Sequence, residues 1–90
     1  MAGRRRTEVE VAYAILSAIR EEEQRMDGQP RKTRLQARVY LNWYTLNRHI
    51  DKLRAKGLVS REGLHLTQRG LQFISHYRSN LRPWLEEYGY

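Results

Sequence analysis

Residues 41–59 constrain the fold of this chain more than any other stretch, because they carry the signals of one helix with two different faces. Asn42 is a favourable N-cap residue, and Gly57 suits the left-handed position that follows the last turn of many helices. Apolar residues recur at steps of three, four and three, which predicts one buried stripe: Trp43, Leu46, Ile50 and Leu53. The opposite face carries polar and basic side chains: Asn47, Arg48, Lys52 and Arg54.

Two short apolar segments follow this helix and predict a small β-hairpin. Residues 58–61 and 64–66 would form its strands, with Glu62 and Gly63 at the tight turn between them. A helix with an exposed basic face, followed by a hairpin, is typical of a winged helix-turn-helix. The predicted fold class is mostly α with a small β-hairpin (α+β), a winged helix-turn-helix with an extended C-terminal helix.

The N-terminal third of the chain predicts one long amphipathic helix. Thr7 and Glu10 have the spacing of a capping box, so the helix should begin at about Thr7 and end at about Glu23. Residues 27–30 contain glycine and proline, which break the chain after it. The acidic residues 21–23 are interpreted as a solvated face at the end of this helix.

A short second helix is predicted from about Thr33 to about Tyr40, and residues 29–32 before it could pair as an edge strand. Thr67 is expected to cap a fourth helix. Pro83 removes a backbone donor from that helix and clashes with its preceding turn, which predicts a kink or a break. The predicted organisation is a basic N-terminal arm at 1–6, a winged-helix domain at 7–69 and a C-terminal dimerisation helix at 70–90.

The charge of the chain points to a polyanion as its partner. Its formal net charge is +7, from 17 basic and 10 acidic residues. Residues 28–69 carry ten basic side chains and only two acidic ones, Asp51 and Glu62. Such a separation indicates one face built for DNA, RNA or an anionic membrane. The absence of cysteine excludes disulfides, cysteine-ligated zinc and thiol catalysis.

The polar face of the third helix supplies the candidate base-reading residues Tyr44, Asn47 and Arg48. They lie in its first turns, where a recognition helix meets base edges in the major groove. Asparagine can pair with adenine, and arginine with guanine. The alternative is a solvated helix face. Candidate phosphate ligands are the basic residues around this helix: Arg31, Lys32, Arg34, Arg38, Lys52 and Arg61. The alternative for these six residues is a set of solvated charges. Residues 4–6 form a basic tail.

The last helix predicts a homodimer interface. Its apolar positions follow a three-four spacing that lets two helices interlock: Ile74, Tyr77, Leu81, Trp84 and Tyr88. The alternative is that Ile74 and Tyr77 pack on the first helix of the same chain while the tail beyond Pro83 frays. No enzymatic function, metal or cofactor is expected, because the three histidines share no ligand spacing and no catalytic constellation is present. No apolar run approaches the roughly 20 residues of a membrane span.

Several motifs in order resemble a family of small, basic archaeal winged-helix proteins. They are Lys32-Thr33-Arg34-Leu35, Leu41, Leu46, Leu53, Lys56-Gly57-Leu58 and Leu66-Thr67-Gln68-Arg69-Gly70. The resemblance includes crenarchaeal members that dimerise through a C-terminal antiparallel coiled coil, and it implies DNA contact from the third helix and the wing. The expected function is therefore that of a transcription regulator or architectural chromatin protein, cytoplasmic and associated with the nucleoid. A protein-interaction module and an RNA-binding module are the alternatives.

Overall fold

A computed structural model describes residues 7–25 and 28–80. Four helices occupy most of this part of the chain: α1 Glu8–Glu23, α2 Lys32–Val39, α3 Trp43–Ala55 and α4 Gln68–Asn80. Helix α1 packs against each of the other three, so it forms the centre of the domain. None of the described helices is both long and apolar enough to cross a bilayer.

Helix ends fall where the local sequence predicts them. The Thr7 hydroxyl accepts a hydrogen bond from the Glu10 amide at 3.1 Å, and the Glu10 carboxylate accepts one from the Thr7 amide at 3.1 Å. The Asn42 side chain caps α3 by accepting from the Thr45 amide at 2.8 Å. Gly57 has φ +76°, in the left-handed position just after α3. These caps satisfy backbone groups that a helix end otherwise leaves without a partner.

One apolar core joins the four helices and the segment after α3. Helix α1 contributes Ile15, Leu16 and Ile19, which are completely buried. Buried aliphatic residues also come from every remaining element: Leu35, Val39, Leu46, Ile50, Leu53, Leu58, Val59 and Ile74. Burial of each large side chain contributes roughly 1.5–3 kcal/mol. The predicted stripe of α3 is thus confirmed at Leu46, Ile50 and Leu53, but not at Trp43.

The segment after α3, residues 58–66, folds back on itself with less regular structure than the predicted hairpin. Among the described residues it forms one isolated antiparallel bridge, between Val59 and Leu66. The side chain of Arg54 also bonds to this segment, donating to the Ser60 carbonyl at 2.9 Å and to the Gly63 carbonyl at 3.2 Å. Arg54 therefore anchors this loop instead of standing on the exposed face of α3. We call residues 58–66 the wing.

The predicted edge strand at residues 29–32 is wrong, because Lys32 begins α2 and residues 28–31 pair with no strand in the described part of the chain.

The first two positions of the predicted dimer stripe pack inside the monomer. Ile74 is completely buried in the core. Tyr77 is half-buried and stacks on Tyr13 of α1, with ring centroids 4.0 Å apart and planes inclined by 16°. These contacts agree with the alternative arrangement for Ile74 and Tyr77. The remaining positions of the stripe, Leu81, Trp84 and Tyr88, lie outside the described residues, as do Pro83 and the arginines at 4–6.

Candidate nucleic-acid interface

The first two turns of α3 carry two exposed side chains from the predicted base-reading set. Tyr44 is 78% exposed, and Arg48 is also exposed, one turn further along the helix. Neither side chain makes a hydrogen bond or an ion pair with another described residue. Their spacing of four places them on one side of α3. This side can approach a ligand without breaking any contact that the structure describes.

Asn47, the third residue of this set, is already engaged within the protein. Its Oδ1 accepts a hydrogen bond from Nζ of Lys32 at 2.6 Å, and its Nδ2 donates to the Trp43 carbonyl at 2.9 Å. Lys32 begins α2, so this contact ties α2 to α3. The structure thus brings a predicted base-reading residue and a predicted phosphate ligand into contact with each other.

Trp43 is not a core residue, contrary to the sequence prediction. Its side chain is 47% exposed, and Lys32 Nζ lies 6.0 Å from the centroid of its ring. The spacing with Leu46 is helical, but Trp43 is the first residue of α3, where the helix leaves the core. Periodicity alone cannot detect that end effect. Tyr40, at the left-handed C-cap of α2, is 87% exposed, so the turn between α2 and α3 displays aromatic rings on both sides.

The predicted phosphate ligands divide into two groups. Arg31 and Arg61 are exposed and make no side-chain hydrogen bond or ion pair with any residue in the described ranges. Lys52, in contrast, bonds to the Glu8 carboxylate at 2.6 Å, and this hydrogen bond, together with the charge of Lys52, lowers the pKa of Glu8. Arg34 and Arg38 are also paired with carboxylates, which α1 supplies.

Glu22 receives both of these arginines and is completely buried, although the sequence predicted a solvated face at residues 21–23. Arg38 Nε donates to Glu22 at 2.8 Å, and Arg34 lies 3.4 Å from its other oxygen. Burial by itself raises the pKa of Glu22, but the hydrogen bonds from Arg38 and Arg34 outweigh burial, so the pKa lies below its ordinary value. Glu21 forms a second ion pair with Arg38.

Glu23 extends the same acidic triplet to the wing. Its carboxylate lies 3.1 Å from Nδ1 of His65 and accepts a hydrogen bond from the Leu66 amide at 3.3 Å. The end of α1 therefore holds both α2 and the base of the wing. One sequence signal was available for the contacts of Glu22. Arg34 and Arg38 are four residues apart, so they share a face of α2 and can meet the same carboxylate.

His49 contributes little positive charge to α3 at pH 7. Its partial burial lowers its pKa below the ordinary value of 6.5, and the neighbouring charges of Arg48 and Lys52 lower it further. The ring is therefore mostly neutral at pH 7. The described residues hold no group of three or more histidine, aspartate or glutamate side chains arranged to bind a metal ion. The positive potential of α3 comes from its arginines and lysines.

A family model described as winged helix-turn-helix matches residues 5–82 of the chain, which include all four described helices and the wing. Comparison with curated proteins and with solved structures gave no match.

Proposed function

This chain belongs to the winged helix-turn-helix family, and on that premise we propose that it binds duplex DNA through α3 and the wing. The observation that carries the proposal is the state of Tyr44 and Arg48. Both are exposed in the first turns of α3, and neither has a partner among the described residues. A recognition helix places these turns against base edges in the major groove. Binding, without chemistry, is the proposed activity.

Arg48 is the foremost base-reading residue in this proposal, with Tyr44 beside it. The planar guanidinium of Arg48 can donate two hydrogen bonds to one guanine in the major groove. A bidentate contact with adenine uses both the oxygen and the nitrogen of the Asn47 amide. Asn47 can therefore read a base only after it gives up its hydrogen bonds with Lys32 and with the Trp43 carbonyl. Base readout by Asn47 thus carries a cost that readout by Arg48 does not.

Phosphate contacts are assigned first to Arg31 and Arg61, which are exposed and unpaired within the described part of the chain. Arg31 is the N-cap residue of α2, and Arg61 lies in the loop of the wing. Lys32 can bind a phosphate from the position that it shares with Asn47. Three further phosphate ligands are proposed as shared, because each is already paired with a glutamate: Arg34, Arg38 and Lys52.

The proposed biological role is that of a transcription regulator or an architectural chromatin protein associated with the nucleoid. Both roles use the same contacts, and they differ in sequence specificity. The proposed active form is a homodimer joined by Leu81, Trp84 and Tyr88, which would place two α3 helices on one duplex. Dimers of this kind read two half-sites about one helical turn apart.

Affinity for duplex DNA across a salt series tests the proposal. Each neutralised phosphate releases counterions, so log affinity should fall linearly with log salt, by a slope of about 0.9 for each phosphate. Arg31→Gln and Arg61→Gln should each reduce this slope by about 1 and weaken random and selected sequences alike. Arg20→Gln, which removes the same charge from α1 outside the proposed interface, is the matched control.

A flat dependence of affinity on salt would contradict the proposal and favour a protein partner. A large preference for one selected sequence over random duplex would identify a regulator, whereas equal affinities would identify an architectural protein. Tighter binding of structured RNA than of duplex DNA would assign the interface to RNA.

A further inference from the structure

We propose that the turn between α2 and α3 is a stacking surface for the unpaired bases of single-stranded DNA. The surface consists of Tyr40, Trp43 and Tyr44, and we call it the aromatic turn. Its aromatic rings lie beside the cations Lys32 and Arg48. The choice of DNA over RNA rests on the proposed function, since the adjoining face of α3 is assigned to duplex DNA.

Tyr40 is the first observation that carries the proposal, because the end of α2 requires a left-handed backbone at this position but not an aromatic side chain. Its backbone is left-handed, with φ 57°, which strains any residue that has a Cβ and favours glycine. Its ring is 87% exposed, so burial does not compensate for the strain. Gly28 and Gly57 occupy the other left-handed positions of the described chain, in agreement with this preference. A strained, exposed aromatic residue indicates a function for the ring itself.

The other two rings extend the surface along α3. Trp43 and Tyr44 begin the helix, and Trp43 lies no more than about 11 Å from Tyr40 measured between Cα atoms, because three trans peptides join them. The side chains are 47% and 78% exposed. Three large aromatic side chains within five residues thus face solvent, whereas the aliphatic residues of the core are almost completely buried.

The charge around the aromatic turn complements a nucleic acid strand. Residues 28–50 contain no aspartate or glutamate. Lys32 lies 6.0 Å above the ring of Trp43, and Arg48 is one helical turn from Tyr44. Sites for unpaired strands combine these same two elements, aromatic rings that stack on bases and cations that follow the phosphates. In duplex DNA the faces of the bases are covered by their neighbours, so this surface selects unpaired bases.

Fluorescence of Trp43 tests the proposal directly. The tryptophan emission of the unmodified protein is titrated with a short oligothymidylate, which forms no duplex of its own. The same titration of Trp43→Phe, which keeps Trp84 as its only tryptophan, shows which part of the signal comes from Trp43. Stacking should quench the emission of Trp43. Anisotropy of a labelled oligothymidylate measures the affinity of each variant. By this measure, Trp43→Ala or Tyr40→Gly should weaken binding by about 5- to 150-fold. Leu71→Ala, at an exposed aliphatic residue of α4, is the control and should change nothing.

Tyr40→Gly separates this proposal from a structural role. Glycine relieves the left-handed strain, so the variant should unfold at a temperature equal to or above that of the unmodified protein while it loses affinity for the strand. Its affinity for duplex DNA should stay within about twofold, as expected for a surface substitution outside the interface. A Tyr40→Gly protein that melts earlier would contradict the account of strain on which the proposal depends.

Three other outcomes would overturn the proposal. Unquenched Trp43 in a protein that still binds duplex DNA would reject it and leave the proposed function intact. An equal loss of duplex and single-strand affinity in Trp43→Ala would assign the aromatic turn to the duplex interface. Tighter binding of oligouridylate than of oligothymidylate would assign it to RNA. If the unmodified protein binds no duplex DNA in any assay, the proposed function is rejected instead.

Discussion

Lys32 of α2 donates a hydrogen bond from Nζ to Oδ1 of Asn47 of α3 over 2.6 Å. The amide nitrogen of Asn47 donates in turn to the Trp43 carbonyl, so the orientation of this side chain is fixed from both ends. The two residues were predicted to contact different parts of DNA, and in the free protein they contact each other. The proposed interface therefore contains one residue without a partner among the described residues, Arg48, and one that must first release a partner, Asn47.

The first prediction concerns base readout. Arg48→Ala should weaken binding to a selected duplex by about 1–3 kcal/mol more than binding to random duplex, because a bidentate contact to guanine is lost. Asn47→Ala should also weaken selected sequences more than random ones, but by less than Arg48→Ala, since its contact with DNA replaces contacts already made. Parallel titrations of both duplexes measure the difference. Equal effects on the two duplexes would refute base readout by these side chains.

The second prediction concerns stability. A Lys32→Met and Asn47→Ala double-mutant cycle, measured by urea unfolding, should give a coupling free energy of about 0.5–1.5 kcal/mol, the ordinary net value of one hydrogen bond. Each single substitution already breaks the hydrogen bond, so the double variant should lose less stability than the sum of the two single effects. Strictly additive effects would mean that the contact contributes nothing in solution.

Glu22 supplies the third prediction, on the pH dependence of unfolding. Its pKa is lower in the folded protein than the ordinary value of 4.5, so the unfolded chain binds the proton more tightly. The resulting stabilisation is complete above about pH 4.5 and is lost as the pH falls through the folded pKa. Glu22→Gln removes the charge at similar volume, and it should lower the melting temperature at pH 7 and flatten the loss of stability on acidification.

Glu21→Gln is the matched control for Glu22, because Glu21 is exposed and pairs only with Arg38 among the described residues. Its melting temperature should stay close to that of the unmodified protein, as expected for an exposed ion pair. Thermal unfolding followed by circular dichroism from pH 3 to pH 7, a range set around the ordinary glutamate pKa, measures both variants. An acid profile of Glu22→Gln that matches the unmodified protein would contradict the assignment.

The fourth prediction concerns Gly70 of α4. A Cβ at this position would lie 2.3 Å from the carbonyl oxygen of Leu58, which is backbone and cannot rotate away. Gly70→Ala should therefore push α4 from the base of the wing and destabilise the protein by about 1–3 kcal/mol. Gly63→Ala is the control, since its Cβ would meet only the ring of His65, at 3.2 Å, and that exposed ring can turn aside. Chemical unfolding that shows equal stabilities would refute the steric argument.

The elements of the fold that could be predicted from the sequence are those fixed by local chemistry. The capping box of Thr7 and Glu10, the cap at Asn42 and the left-handed Gly57 each depend on residues within one turn of a helix end. The pattern of α3 likewise identified its buried residues beyond the first turn. Local rules succeed here because the partner of each group is close in sequence.

The parts that the sequence did not reveal depend on partners that are distant in the chain. Glu22 is buried because two arginines of α2 meet it, and a triplet of acidic residues gives no sign of which member faces inward. Arg54 lies on the polar side of α3 but turns to the wing carbonyls. The position of Tyr44 and Arg48 was predictable from helical spacing, whereas the Lys32–Asn47 contact required the packing of α2 on α3.

The fifth prediction is that the protein is a homodimer joined through the end of its chain. Ile74 and Tyr77 are held by contacts within the monomer, so the interface is assigned to Leu81, Trp84 and Tyr88, whose spacing continues the stripe. Leu81→Asp combined with Trp84→Ala should give a monomer that keeps its helical circular dichroism, because the contacts of Ile74 and Tyr77 stay in place. The monomer should bind DNA more weakly, since it has lost its second half-site, and Leu71→Ala on the exposed side of α4 should leave the assembly unchanged. Sedimentation equilibrium measures the mass of each variant, and an unmodified protein that sediments as a monomer at high micromolar concentration would rule out the dimer.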